Sequence, residues 1–436
     1  MSRVIRRRWI NDSTGPSRKD NRGCEYEAYV PDPLVGRAFS FDGEVAADIA
    51  DAEAAIARLN AQATSLVDTE ALARILLRAE SVASSRIEGL EIGARRLLRA
   101  EAARGLGDDP SDVTAVEVLA NIDAMVFAIE HVDAGDPITV ELVLEVHQRL
   151  LAKTRLERYA GKFREQQNWI GGSEYNPCAA AFVPPPPEYV ADLMADLVAF
   201  ANDDSLPPVA QAAIAHAQFE TIHPFVDGNG RTGRALVHLI FRRRGVAPRV
   251  LPPVSLVLAT WATDYVGGLE ATRYRGPASG KAASEGINLW IGRFATACKR
   301  AVDDASSFEE RARAIEASWR ERLGRVRARS AADLLLSVLV GAPVVTVNSA
   351  AEMISRSFIQ TNEAISRLVE AGILKQVTVG RRNRAFEAPD IVAAFAWSAS
   401  SIERLRACWV TQSADGLAVT PAIRTRRVSW WMNTRT

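Results

Sequence analysis

Residues 223–234 hold the densest chemistry in the chain: His223-Pro224-Phe225-Val226-Asp227-Gly228-Asn229-Gly230-Arg231-Thr232-Gly233-Arg234. An imidazole titrates near neutral pH, so His223 suits a general base acting on a hydroxyl. Asp227 offers one carboxylate, enough to hold a Mg²⁺ ion whose other ligands are water and phosphate oxygens. Gly228 and Gly230 allow a tight bend and a close approach of backbone to ligand. Arg231 and Arg234 are three residues apart, a spacing that brings them out on one side of a helix. Free amides at a helix start, together with the helix dipole, favour an anion there. Two arginines aimed at such a place make a phosphate site. The residues alone therefore predict a phosphate, a metal and a base.

Two other phosphate-binding readings fail. Gly228 to Gly233 spells GxGxxG, but the segment before it is helical rather than a strand. No acidic residue follows about 20 positions later, where a dinucleotide fold places one. No Walker GxxxxGK[ST] occurs. The stretch instead resembles the Fic (Fic/Doc) motif HxFx[DE]GNGRxxR, with every defined position matched. The resemblance implies a mainly α fold: a Fic-type helical core with a small β-hairpin flap, an N-terminal helical region and a C-terminal winged helix. It implies transfer of AMP from ATP, the co-substrate, to a Ser, Thr or Tyr hydroxyl of a target protein. By the same resemblance His223 deprotonates the hydroxyl and Asp227 holds Mg²⁺ on the α- and β-phosphates. Gly228, Asn229, Gly230 and Arg231 form the anion hole, and Arg234 holds the γ-phosphate. The other histidines, His131, His147, His216 and His238, belong to no motif and are expected in packing or surface roles.

Ser84-Ser85-Arg86-Ile87-Glu88-Gly89 resembles the family's inhibitory motif [ST]xxxE[GN]. Ser84 and Glu88 stand at i and i+4, on one helix face. A carboxylate there would take the Arg234 guanidinium that a γ-phosphate needs and would repel the triphosphate. In some family members the same glutamate assists removal of AMP, which extends the resemblance to a reverse reaction. Trp169 to Val183, with turn signals at Gly171-Gly172 and Asn176-Pro177, is the expected flap that aligns a target chain by strand addition.

The elements that must position these groups read as follows. Residues 1–22 carry seven basic and two acidic side chains and read as a mobile tail within a basic segment 1–30. Helical periodicity runs from Val45 to Arg104, with Leu72, Ile75, Leu76, Ala79, Val82 and Ala83 on one face. Asp112 is placed to cap the next helix, Val113–His131, and Val140–Lys153 follows. Pro184–Pro187 should form a stiff extended strut before a helix at Glu188–Asn202. The central motif joins helices at Val209–Thr221 and Arg234–Arg244, and residues 285–329 read as long, partly charged helices. Ala331–Leu339, then helices capped by Ser349 and Thr361, precede a strand Ile373–Val379, a turn and a return strand Ala385–Glu387. That is the order of a winged helix-turn-helix. The organisation expected is an inhibitory region 31–112, a core 113–265, a continuation 266–330, a winged-helix-like unit 331–396 and a tail 397–436.

Composition bounds the rest. The chain has 436 residues, 48% apolar and 24% charged, with 53 basic and 53 acidic side chains. Balanced charge argues against bulk attraction to nucleic acid or membrane. The most apolar stretch, Leu334–Val347, is too short to span a bilayer. No apolar run follows the basic N-terminus, so no secretory signal is expected and a cytoplasmic location is. Cys24, Cys178, Cys298 and Cys408 lie far apart without a CxxC, so neither a zinc site nor a disulfide framework is expected. The partners expected are a target protein and no membrane, with a homodimer left open. The rival reading is a DNA-binding regulator that uses the core as a ligand sensor. DNA would bind through residues 331–396, where Arg381, Arg382 and Arg384 supply a basic wing but Glu363, Arg367 and Glu370 do not make a basic recognition helix.

Overall fold

The computed structural model of the chain describes residues 2–10, 15–62, 69–105, 107, 110, 112–379 and 383–394. Two strands open it, β1 (Arg3–Trp9) and β2 (Cys24–Val30). Helices α1 (Gly43–Gln62), α2 (Thr69–Ile87), α3 (Ala94–Gly105), α4 (Val113–Glu130) and α5 (Val140–Leu151) follow. Next come α6 (Val190–Ala201), α7 (Pro208–Ile222), α8 (Asn229–Arg243), α9 (Val254–Thr260), α10 (Ala262–Ala271) and α11 (Lys281–Leu323). The chain continues through α12 (Ala331–Gly341), β3 (Val344–Thr346), α13 (Val347–Met353), α14 (Phe358–Glu370), β4 (Lys375–Val379) and β5 (Asn383–Glu387). The fold is mainly helical, as its periodicity predicts.

α7 is the centre. Val209 through Ile222 are all buried, and alanines at 210, 212, 213, 215 and 217 let neighbouring helices come close. A helix buried on every face shows no amphipathic stripe. It packs against α8 on one side and α6 and α11 on others. α11 is one helix of 43 residues, about 65 Å long at 1.5 Å per residue, where the sequence suggested several. It runs past α1, α7, α9, α10 and α12. Its Trp290 indole donates to the Ala213 carbonyl of α7 at 2.7 Å, so a fully buried ring is also satisfied.

α2 buries the predicted Leu72, Ile75, Leu76 and Ala83. Unexpectedly, its opposite side is also buried and polar, with Glu80, Ser81, Ser84 and Ser85 at or below 1% exposure. Asn121 on α4 holds that side by donating to Ser81 O at 2.7 Å and Ser85 Oγ at 3.0 Å. Asp112 caps α4 as predicted, accepting from the Ala115 amide.

Several expectations are corrected. The amino-terminal basic segment is a strand, not a tail: β1 pairs antiparallel with β2 from Arg3↔Val30 to Trp9↔Cys24. Arg6 and Arg8 stand opposite Glu27 and Glu25, so the charge that suggested a solvated tail is matched across the ladder. Cys24 and Cys178 form a disulfide, which their separation of 154 residues conceals, while Cys298 is free and buried. Cys408 and the tail from 397 lie outside the described residues, as do Arg381 and Arg382. The expected flap hairpin is reduced to a single bridge, Ile170↔Phe182, with a short 3₁₀ turn at Pro177–Ala179 between its arms. Pro184 to Pro186 are extended, but Pro187 starts a 3₁₀ turn that leads into α6, because the first position of a helical turn has no amide bond to lose.

At the carboxy-terminal end, three helices and a hairpin occur in the predicted order, with β3 added to give a sheet ordered β3-β5-β4. The helix caps differ from prediction. Thr346 caps α13 in a reciprocal box with Ser349, and Ser357 caps α14, leaving Thr361 inside that helix. Among the described residues no helix is long and apolar enough to cross a membrane.

Candidate active site

The motif folds as a turn between α7 and α8. α7 ends at Ile222, and His223 adopts the left-handed region at φ +50° and ψ 59° while its N–H still donates to Phe219 O at 2.8 Å. A side-chain-bearing residue there is strained and persists only where its surroundings hold it. Two buried side chains do so. Arg164 Nε donates to His223 O at 2.9 Å, and Asn168 Nδ2 donates to His223 O at 3.2 Å and Phe225 O at 3.1 Å. Phe225 is fully buried and stacks on the His147 ring at 3.7 Å. His147 accepts from the Gly161 amide at Nδ1 and donates from Nε2 to Asp227 O, each at 3.0 Å, so one imidazole ties the turn to the segment around Gly161.

α8 starts at Asn229, five residues earlier than periodicity suggested, so Gly230 and Arg231 lie in its first turn. Asn229 spends its side chain on the turn, accepting from Phe225 N–H at 2.8 Å and donating to Phe225 O at 2.9 Å. Gly228 sits at φ +77°, and a Cβ there would lie 2.9 Å from Leu150. The first-turn amides of α8 have no intrahelical partner and face the mouth of the site.

Arg231 and Arg234 are both buried yet meet different groups. Arg231 keeps Nε and Nη1 without a hydrogen-bond partner, and its Nη2 stands 3.7 Å from Asp227. Arg234 is fully engaged. Its Nε donates to Ser84 Oγ at 2.9 Å, and its Nη2 donates to Ser84 O at 2.8 Å and to Glu88 Oε1 at 2.7 Å. Burial opposes the Arg234 charge, but Glu88, Tyr265 and Glu220 outweigh it and hold its pKa above the ordinary guanidinium value. The Glu88 carboxylate also lies against the first turn of α8: a Cβ on Gly230 would fall 1.9 Å from Glu88 Oε1. The structure thus brings Ser84, Glu88 and Arg234 together, with Glu88 at the mouth of α8.

Three imidazoles of the site are held neutral. Burial is the main cause for each, lowering His147 to about 4 and His216 and His223 to about 3. For His223 the nearby Arg164 and Arg273 add to the effect. Glu220, 3.9 Å from His223 Nδ1, moves the other way: burial and Glu88 raise it to about 7. Between pH 4.5 and 6.5 the unfolded chain binds protons on three imidazoles that the folded chain refuses, and releases the one that Glu220 keeps. Unfolding in that window takes up a net of about two protons, so stability falls as the pH is lowered through it. The expected result is a urea midpoint that is clearly lower at pH 5 than at pH 7.5; equal midpoints would refute it.

Asp227 is the one candidate metal ligand the sequence supplied. Its side chain is partly exposed, and Oδ1 accepts from Gly228 N–H at 2.7 Å. Among the described residues no group of three or more His, Cys, Asp or Glu could hold a metal. A single carboxylate fits a Mg²⁺ ion that draws its remaining ligands from phosphate and water, not a closed protein site.

Two segments of the chain match family models. Residues 137–241 match the model described as Fic/DOC family, and residues 46–130 match the one described as Fic/DOC family N-terminal. Over these two segments the chain is similar to the Fic/DOC family. The chain is 34% identical over 169 residues to a protein named protein adenylyltransferase fic-1 from Caenorhabditis briggsae. That alignment covers 38% of this chain and 31% of the relative. It is 39% identical over 118 residues to protein adenylyltransferase Fic from Drosophila virilis, covering 26% of this chain and 22% of that one. The chain therefore spans about a third or less of the length of these relatives. It also superposes on a Fic family protein from Desulfovibrio desulfuricans G20 with a TM-score of 0.49 and 21% identity, covering 80% of this chain and 97% of that one.

Sequence reasoning missed several groups that shape this site. Arg164 is 3% exposed and its guanidinium donates to the backbone carbonyls of His223, Gln166, Pro185 and Ile222. An arginine among Lys162, Glu165 and Gln166 reads as a surface residue, and no local signal marks its burial. His147, His216 and His238, expected in packing or surface roles, are all buried and hydrogen-bonded within or beside the site. His131 is exposed. The flap is fastened from outside: Tyr29 N–H donates to Val183 O at 2.9 Å, Ser173 Oγ donates to Asp20 at 2.6 Å, and the disulfide joins it to β2.

Proposed function

We propose that this Fic chain is a protein adenylyltransferase that carries its own brake. The target hydroxyl oxygen attacks the α-phosphorus of ATP; its proton passes to His223, the bond from the α-phosphorus to the bridging oxygen breaks, and pyrophosphate leaves with that electron pair. His223 suits this role because burial keeps it neutral and able to accept a proton. The amides of Gly228, Asn229 and Gly230 and the guanidinium of Arg231 form the anion hole; the two partnerless Arg231 nitrogens are the donors that such a ligand would satisfy. Asp227 would hold Mg²⁺, which when bound offsets charge on the α- and β-phosphates. Arg234 takes the γ-phosphate, and Glu88 and Ser84 compete for it. A target strand would add to the flap arms at Ile170 and Phe182, bringing its hydroxyl to His223.

One observation carries the reading: the Arg234 guanidinium is occupied by Glu88 and Ser84 at the mouth of α8. The expected result is that Glu88→Gly raises self-labelling with radiolabelled ATP and Mg²⁺ by at least roughly tenfold, within the usual range of coupling energies. Equal labelling of wild type and variant would remove the brake, and no labelling of either would remove the activity.

On this reading residues 31–112 carry the brake, 113–265 the transfer site, and 331–396 dock a protein, not DNA. The exposed side of α14 carries Glu363, Arg367 and Glu370, and its first turn exposes Phe358 and Ile359. A DNA-reading helix needs net positive charge there.

A further inference from the structure

α2 and α8 meet through three polar rungs in reverse order. On α2 and in the turn just past its end, Glu80, Ser84 and Glu88 follow at four-residue steps; on α8, His238, Arg234 and Gly230 do the same in the opposite direction. Two rungs, Ser84–Arg234 and Glu88 at Gly230 and Arg234, lie where a triphosphate would bind. The third lies deeper. Glu80 and His238 side chains are each 1% exposed, and His238 Nε2 donates to Glu80 Oε1 at 2.9 Å. The same carboxylate accepts from Ser255 at the start of α9, from its N–H at Oε2 (2.7 Å) and from its hydroxyl at Oε1. Every oxygen of Glu80 is thus tied to a helix other than its own.

A buried carboxylate–imidazole pair is a poor means of stabilisation, since apolar side chains of the same volume do as well or better. Its attested use is to fix register. Sliding α2 by one residue along α8 would leave Glu80 facing no donor, whereas a purely apolar contact would tolerate the slip. Glu80 lies two turns, about 12 Å, from Glu88 along α2. Nucleotide entering the mouth can challenge the Ser84 and Glu88 rungs but cannot reach this one.

We infer that Glu80, with His238 and Ser255, is the register lock of the inhibitory helix. These are positioning residues: they touch no substrate and set how firmly Glu88 holds Arg234 against it. The inference rests on the proposed braking role of Glu88, and its test separates the two.

Glu80→Gln keeps the volume but offers one acceptor oxygen where three donors converge. With Glu88 intact, self-labelling with radiolabelled ATP is expected to rise roughly 5- to 20-fold. In the Glu88→Gly background the same substitution is expected to change nothing, because there is no brake left to misplace. The double variant Glu80→Leu/His238→Leu, which restores an apolar contact, is expected to behave like Glu80→Gln and to melt near wild type. Two outcomes overturn the lock: folded Glu80 variants labelled as weakly as wild type, or equal changes with and without Glu88. If Glu88→Gly itself transfers nothing, the transferase reading falls and the lock is judged by hydrogen exchange. Faster exchange at the amides of residues 84–89 in Glu80→Gln supports it; acceleration confined to residues 77–81 marks a local packing defect and overturns it.

Discussion

Replacing His223 with alanine in the Glu88→Gly background is expected to lower AMP transfer roughly 10²- to 10⁴-fold, the usual contribution of a positioned base. ATP should bind as before, because on the proposed reading the triphosphate would be held by the α8 mouth and Arg234, not by the imidazole. The background matters: with Glu88 in place Arg234 is occupied, so loss of the base would be measured against an activity already suppressed. The imidazole starts neutral, with a pKa near 3 set by burial, Arg164 and Arg273. Binding of a triphosphate places negative charge in the same pocket, which favours a protonated neighbour and raises that value. The acid limb of kcat in the Glu88→Gly protein should therefore lie above pH 3, and it should vanish with His223→Ala. Residual transfer within a factor of a few of the parent would show that another group takes the proton.

The legible part of this site was its contiguous part. Twelve adjacent residues supplied the proposed base, the proposed metal carboxylate, the bend and the two arginines, and a four-residue step placed Ser84 and Glu88 on one side. Contiguity also fixed the helix–turn–helix frame, because α7 and α8 are neighbours in sequence. What stayed hidden was assembled from distance. Arg164 reaches α7 across 59 residues, Asn121 grips α2 across 40, and Glu80 meets His238 across 158. None of these has a periodicity or motif, since a buried polar side chain looks in sequence like a solvated one. The same cause explains the amino terminus. Three consecutive arginines at 6–8 outweighed the pattern of a strand, and only the glutamates of β2, brought opposite by pairing, make that strand reasonable. Charge read along a chain predicts exposure; charge read across a ladder predicts pairing.

One of those distant contacts now carries the second large effect. The Arg164 guanidinium is 3% exposed and forms no ion pair with a carboxylate among the described residues; burial pulls its pKa down to about 10, with Glu188 acting the other way. Its donors go instead to carbonyls at the end of α7 and to Pro185, the stretch that links the flap to α6. A positive charge at a helix C-terminus is favourable, and here it also closes the carbonyls exposed by the left-handed turn at His223. Arg164→Ala would leave those buried carbonyls unpaired and is expected to cost about 3 kcal/mol of stability, the scale of losing charged hydrogen bonds. It would also let His223 relax towards an ordinary backbone conformation. A shift of about 1 Å in a catalytic group costs roughly 100-fold in rate, so transfer in the Glu88→Gly background should fall by about that factor. Arg164→Lys should rescue little, because a point charge cannot reach carbonyls on both the helix end and the flap base as a planar fork does. The discriminating measurement is KM for ATP: loss of kcat with KM held marks a misplaced base, whereas a parallel loss of both would mean that the whole pocket has opened.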